Sequence, residues 1–187
     1  MKIVYYDITN FYFEIDEEDD LRKKGHGKEH RPNPIVQMGL AMDTDGIPIA
    51  YGSFRGNMLD KETFRSLIGE VRKNYDTGRI IVVADRGIIT GDNIYYLTGD
   101  NNKNGYIFSF SIRGGTDDFK EYILDNNGYV DDKGHKATED TPYKIKSRKI
   151  PREINVTMVK GKTARKIVHE KQVVFYNKKY ADREKAE

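Results

Sequence analysis

The chain has 187 residues, of which 37% are hydrophobic and 33% are charged, a balance typical of globular domains rather than of disordered chains. It has no cysteine, which excludes a disulfide framework and a thiolate metal site. No run of about 18 apolar residues exists to span a membrane, and the first residues, MKIVYYD, lack a secretory signal pattern, so we expect a cytoplasmic protein.

The net charge of +2 conceals an uneven distribution. From Tyr143 to Glu187 there are ten lysines and four arginines against five acidic residues, a surplus of nine positive charges. The preceding 142 residues therefore carry a net charge of −7. A basic section beside an acidic body suggests a polyanion partner such as nucleic acid. The alternative interpretation is a solvated basic surface without a partner.

The first third of the chain alternates as β-strands do. Apolar residues alternate through 3–15 and again through 36–42. The turn sequence DTDG follows, and a third extended run covers 47–54, which together predict a hairpin. We expect an antiparallel meander of three strands, with residues 21–34 as a loop between the first two.

Helices and strands alternate in the next section. Apolar residues at i, i+3, i+4 and i+7 predict an amphipathic helix from Asp60, its expected N-cap, to about Gly78. The continuous run IIVVA predicts a strand covered on both faces, and Gly87 and Gly91 are expected to adopt positive φ in the turn after it. The other predicted elements here are a short helix at 90–97, a strand at 106–112 and a helix at 116–124.

The composition changes after Asn126, where a polar, turn-rich segment leads into a basic section. That section has two candidate strands, at 154–160 and 167–176, and ends in the first turns of a charged helix. We therefore divide the chain into a first domain at 1–130 and a basic, β-rich region at 131–187. The final helical pattern stops abruptly, which suggests a truncated chain.

Two aspartates stand out against these strands. Asp7 lies in phase with Ile3, Tyr5 and Phe11, and an ionised carboxylate among apolar side chains needs a partner. Asp85 ends the IIVVA strand, and the ligands of open α/β sheets gather at such strand ends. If the two strands are neighbours, the carboxylates repel unless a cation neutralises them. Oxygen ligands of this kind favour Mg²⁺ or Mn²⁺.

Three segments resemble the catalytic core of bacterial insertion-sequence transposases of the DDE class: YYDITNFYFE, KEHRPNPIVQMGLAMDTDGIPIAYGSFRGN and IIVVADRGIITGDNI. The resemblance is close over Met1 to Gly114 and looser beyond. It implies an RNase H-like α/β fold, with three antiparallel strands followed by parallel strands and flanking helices. It also implies that 131–187 is part of a β-rich insertion, and that the activity is DNA cleavage and strand transfer in the transposition of a mobile element.

By this resemblance, Asp7 and Asp85 are catalytic residues and the first two metal-binding aspartates. Two divalent ions, Mg²⁺ or Mn²⁺, would then clamp the scissile phosphate. The implied partners are transposon ends and target DNA, with the full-length protein a homodimer. The basic residues that we single out as candidates for DNA contact are Lys28, Arg31, Arg86, Lys160, Lys162, Arg165 and Lys166.

The family also requires a glutamate on a later helix, in the pattern of a Tyr, two residues, an Arg, three residues and a Glu, with a Lys further on. Tyr180, Arg183 and Glu187 match this spacing, but no residue remains to match the lysine. We therefore expect the catalytic glutamate beyond Glu187, and a chain that is inactive by itself for lack of the third carboxylate.

Two alternatives remain at this point. The first is a truncated remnant that retains the fold and binds DNA weakly without chemistry. The second is an RNase H-like nuclease of another kind, whose third acidic residue would be Asp117 or Asp118.

Overall fold

The computed structural model describes residues 2–25, 32–75, 78–99, 104–158 and 161–186. The chain divides into two compact units, Met1–Ser109 with Asn155–Ala164, and Phe110–Ile154 with Arg165–Glu187. A short 3-10 turn, Arg86–Ile88, precedes the second helix. The strands and helices of the described residues are β1 (Lys2–Tyr12), β2 (Ile35–Met42), β3 (Pro48–Arg55), α1 (Asp60–Asn74), β4 (Ile80–Ala84), α2 (Gly91–Thr98), β5 (Gly105–Phe108), α3 (Asp117–Leu124), β6 (Tyr143–Thr157), β7 (Thr163–Asn177) and α4 (Lys178–Ala186).

The first unit is built on a five-stranded mixed sheet in the order β3-β2-β1-β4-β5. The first three strands form the predicted antiparallel meander. β4 then pairs with β1 in parallel, and β5 pairs with β4 in parallel. The predicted mixed α/β class and the pairing of the first and fourth strands are therefore confirmed.

One face of this sheet forms the core with α1 and α2. Alternate residues of β1 point into it, so that Val4 and Tyr6 are buried. The predicted apolar stripe of α1 meets them, and the ring of Phe64 packs edge-on against that of Tyr6 at 5.3 Å between centroids. Leu97 of α2 completes the same cluster.

The opposite face is much more open than the sequence predicted. Asp7 does share this face with Tyr5, as expected, but Asp7 is exposed and Tyr5 is 40% exposed. Ile81 and Val83 of the IIVVA strand are only partly buried, so the prediction of a strand covered on both faces is wrong. Desolvation therefore gives no reason for Asp7 to need a counter-charge.

Two local predictions in this unit are also wrong. The N-cap of α1 is Leu59, without a side-chain cap, and Asp60 is the first helical residue. Gly87 and Gly91 do not have positive φ. Gly91 is instead needed for a close approach, because a Cβ there would lie 2.0 Å from the carbonyl oxygen of Asn155. The glycine thus lets the last part of β6 pack on the start of α2.

The second unit contains α3, α4 and most of β6 and β7. The two strands pair with each other and are longer than predicted, whereas β5 ends at Phe108 instead of continuing to 112. Lys146 is 5% exposed, and its ammonium donates a 2.6 Å hydrogen bond to the carbonyl of Asp125 at the end of α3. The rings of Tyr122 and Tyr129 each lie 4.3 Å from it. A buried cation between aromatic rings thus holds β6 to α3.

No helix among the described residues is long and apolar enough to cross a membrane. The division into domains at about residue 130 stays a prediction, because compact units defined by contacts do not test it.

Candidate active site

The two aspartates occupy neighbouring positions where the pairing of β1 with β4 ends: Asp7 lies in the middle of β1, and Asp85 directly follows β4. Tyr6 lies opposite Ala84, and Ala84 lies opposite Phe108. Neighbouring strands lie about 4.8 Å apart, and equivalent positions in parallel strands face the same side. The residues that follow on the three strands form one row on the open face: Asp7, Asp85 and Ser109.

The carboxylate of Asp85 is held by two donors. Its backbone remains extended, at φ −76° and ψ 168°, before the 3-10 turn begins. Its Oδ1 accepts a 2.7 Å hydrogen bond from the backbone N–H of Arg86 and a 2.5 Å hydrogen bond from the hydroxyl of Ser109. The orientation of this carboxylate is thus fixed by the turn and by the next strand of the sheet.

Ser109 was missed by the sequence analysis. The segment was predicted as a strand continuing to 112, so Ser109 was taken as a residue within that strand. It stands one residue after Phe108, the last residue of β5, just as Asp85 stands one residue after Ala84, and this parallel is the signal that would have found it.

Behind Asp7, on the helix side of the sheet, lies a buried phenol. The hydroxyl of Tyr6 donates a 2.6 Å hydrogen bond to Thr63, whose own hydroxyl donates to the backbone carbonyl of Asp60. Burial raises the pKa of Tyr6 to about 12 against the opposing effect of the Thr63 hydrogen bond, and the carboxylates of Asp60 and Asp7 raise it further. Negative charge therefore lies on both sides of β1 around Tyr6 and Asp7.

The two carboxylates in the row of Asp7, Asp85 and Ser109 are suitable ligands for a hard cation. Two carboxylates on adjacent strands, open to solvent, are the kind of ligand with which Mg²⁺ and Mn²⁺ retain several waters. Among the described residues no group of three His, Cys, Asp or Glu side chains lies together as a metal site. Asp118 is paired with Arg148 at 2.7 Å, and the side chain of Asp117 is 95% exposed. The nuclease alternative, with Asp117 or Asp118 as the third acidic residue, stays a prediction.

The candidate DNA-contacting residues differ in their exposure and in their ion-pair partners. Arg86 is exposed. Lys162 is exposed, Arg165 lies 3.5 Å from Glu153, and Lys166 is half-buried. The predictions on Lys28, Arg31, Lys160 and Glu187 lie outside the described residues.

No protein-family model matches the chain, and no curated protein matches it. Among solved structures, the chain is similar to a piggyBac transposase seen by cryo-EM in a synaptic complex with hairpin DNA, with a TM-score of 0.45 and 10% identity. The match covers 87% of this chain and 32% of the other. A likeness at this level carries no argument about function.

Proposed function

We propose that this chain is part of the catalytic core of a DDE transposase, an enzyme that cuts and joins DNA strands with divalent metal ions. The observation that carries the proposal is the row of Asp7, Asp85 and Ser109, in which Asp7 in the middle of β1 is the neighbour of Asp85 at the end of β4. The sheet order, with three antiparallel strands followed by two parallel ones, supports an RNase H-like assignment of the fold.

In this proposal the chain's own residues bind and orient. Asp7 and Asp85 would hold Mg²⁺ or Mn²⁺, and the bound ion would supply activation of the attacking hydroxyl and stabilisation of the leaving oxygen of the phosphodiester. The N–H of Arg86 and the hydroxyl of Ser109 fix the direction of the Asp85 carboxylate. The open face leaves room for a DNA strand to reach the two aspartates, since neither is covered by a helix of the same unit.

The basic section of the chain is the proposed DNA-contacting part. The surplus of nine positive charges after Pro142 is suited to neutralising phosphates. We further propose, on the sequence resemblance, that the element is an insertion sequence and that the full-length protein acts on paired ends as a homodimer. The third carboxylate that this chemistry requires would come from outside the described residues.

The test is Mn²⁺ binding followed by electron paramagnetic resonance in four proteins: wild type, Asp7→Asn, Asp85→Asn and Asp45→Asn. Asp45 is a matched control because it is an exposed aspartate in the β2–β3 turn of the same unit. We expect each of the two site variants to weaken Mn²⁺ binding at least about tenfold, since removing a ligand costs no less than removing its supporting partner. The Asp45 variant should bind as the wild type does.

Equal Mn²⁺ affinity in all four proteins would contradict the proposal. If such proteins still bound DNA in a salt-dependent way, the non-catalytic remnant would become the better interpretation. Circular dichroism of each variant checks that the fold is retained.

A further inference from the structure

Two contacts fix the register of the β6–β7 ribbon in the second unit. The backbone N–H of Lys178 donates to the carbonyl of Pro142, and the guanidinium of Arg148 donates to the side chain of Gln172. Only a short connection joins the two strands, so they run antiparallel. Both contacts fit the same register without a bulge, which sets each residue of β6 opposite a defined residue of β7.

The ribbon has an inward face and an outward face, because side chains alternate along each strand. The even-numbered residues of 144–154 and 166–176 form the inward face and are buried or half-buried. Four basic residues of β6 on this face each lie over an aromatic ring: Lys144, Lys146, Arg148 and Arg152. Two of them also form ion pairs, Arg148 with Asp118 and Arg152 with Glu170. These four charges therefore hold the second unit together.

The outward face places two lysines directly opposite each other. It consists of the odd-numbered residues of 147–153 and 165–175, which are exposed. In the register fixed above, Lys149 of β6 faces Lys171 of β7. The acidic residue of this face, Glu153, is paired with Arg165 at 3.5 Å. Like charges directly opposite each other on paired strands are destabilising, so an anion between the two lysines would stabilise the ribbon.

An exposed aromatic ring lies on the outward face beside this lysine pair. Phe175 is 64% exposed, and Val173, which separates it from Lys171 on the same face, is 51% exposed. Lysines beside an exposed ring are the combination that binds single-stranded nucleic acid, because phosphates contact the ammonium groups and a base stacks on the ring. The bases of a duplex are already stacked on one another and offer no free face to Phe175. The outward face therefore suits an unpaired strand.

We propose that the outward face of the β6–β7 ribbon binds single-stranded DNA, with phosphates at Lys149 and Lys171 and a base stacked on Phe175. The inference rests on the proposed function for the choice of DNA, and it deepens that function by naming the face of the basic section that contacts an unpaired strand. It also changes the set of candidate contacts. Lys166 lies on the inward face and is half-buried, whereas Lys149 and Lys171 were not among the candidates from the sequence.

The experiment measures the fluorescence anisotropy of a labelled oligo(dT) strand, and of a labelled duplex of equal length, with the whole chain. Phe175→Ala should weaken binding of the single strand at least about fivefold, because one base loses its stacking partner. Phe175→Trp keeps a ring at this position and should bind the single strand as the wild type does. Duplex affinity should be the same in all three proteins.

A pair of lysine variants on β6 tests the two faces against each other. Lys149→Gln should reduce the slope of log affinity against log salt concentration by about 0.7 for the single strand, as expected for one lost phosphate contact. Lys144→Gln is the matched control, because it removes the same charge from the same strand on the inward face, and it should leave the slope unchanged. Circular dichroism of each variant checks that the fold is retained.

The outcomes separate this inference from the proposed function. Equal slopes in Lys149→Gln and Lys144→Gln, or an unchanged single-strand affinity in Phe175→Ala, would overturn it. An equal loss of duplex and single-strand binding in Phe175→Ala would overturn the choice of an unpaired strand. If the wild type binds Mn²⁺ through Asp7 and Asp85 but does not bind oligo(dT), this inference fails alone. If it binds oligo(dT) through Phe175 but does not bind Mn²⁺, the catalytic core fails and the ribbon site is supported.

Discussion

The two faces of the five-stranded sheet differ in what they contribute. On the helix-covered face, Val4 and Tyr6 of β1 are no more than 4% exposed, and α1 packs on them. On the open face, the residues between and after them, Tyr5 and Asp7, reach solvent. The stability of this unit therefore comes from one face, while the candidate chemistry lies on the other. Changes on the open face should alter metal binding at little cost in folding.

The largest expected effect tests the covered face. Phe64 is fully buried between Tyr6 and Phe108, so Phe64→Ala leaves a cavity and should lower the free energy of unfolding by about 3–5 kcal/mol. The control is Tyr51→Ala on the open face, where the ring is 72% exposed and the change should stay within about 0.5 kcal/mol. Urea unfolding of both variants measures the difference. Similar losses in the two variants would show that the open face is covered by something in solution.

A smaller effect is the dependence of the free energy of unfolding on pH, which Tyr6 on the covered face causes. Tyr6 has a pKa of about 12 in the folded chain because burial disfavours its phenolate, against 10 in the unfolded chain. Between pH 10 and pH 12 the unfolded state loses a proton that the folded state keeps, so stability falls as the pH rises. The contribution is about 2 to 3 kcal/mol.

The variant Tyr6→Phe should remove this part of the alkaline loss. Its stability at neutral pH should drop by about 1 kcal/mol, for the lost hydrogen bond to Thr63. Tyr5→Phe, one residue away on the open face, is the control and should leave the alkaline profile as it is. A Tyr6→Phe profile parallel to that of the wild type from pH 10 upwards would contradict the assignment of the titration to Tyr6.

The order of elements could be predicted from the sequence because hydrophobic periodicity and turn residues are local signals. The adjacent positions of Asp7 and Asp85 could be predicted from that order, since β4 was expected beside β1. The burial of the faces could not be predicted. On β2 the apolar residues Met38 and Leu40 lie on the open side, whereas Gly39 faces the core.

Gly39, rather than a large apolar residue, faces the core because the neighbouring aromatic rings are large. A Cβ on Gly39 would lie 3.2 Å from the ring of Phe54 and 3.3 Å from the hydroxyl of Tyr6. Small residues are therefore needed where large rings fill the core, and an apolar stripe on the strand itself does not reveal this. The burial of Gln37 was missed for a different reason, because a polar residue in an alternating strand pattern is normally interpreted as solvent-facing.

The smallest expected effect on stability is that of Ser109→Ala on the open face, where metal binding should change and folding should not. Ser109 donates a hydrogen bond to Asp85 but is itself exposed, so Ser109→Ala should change the free energy of unfolding by no more than about 0.5 kcal/mol. Mn²⁺ binding at the row should nevertheless weaken about tenfold, because the carboxylate loses the donor that orients it. Ser109→Thr keeps the hydroxyl and should restore binding. The control Ser53→Ala removes an exposed hydroxyl from β3 on the same face and should leave Mn²⁺ binding unchanged. If Ser109→Ala binds Mn²⁺ as tightly as Ser53→Ala does, the 3-10 turn alone positions Asp85.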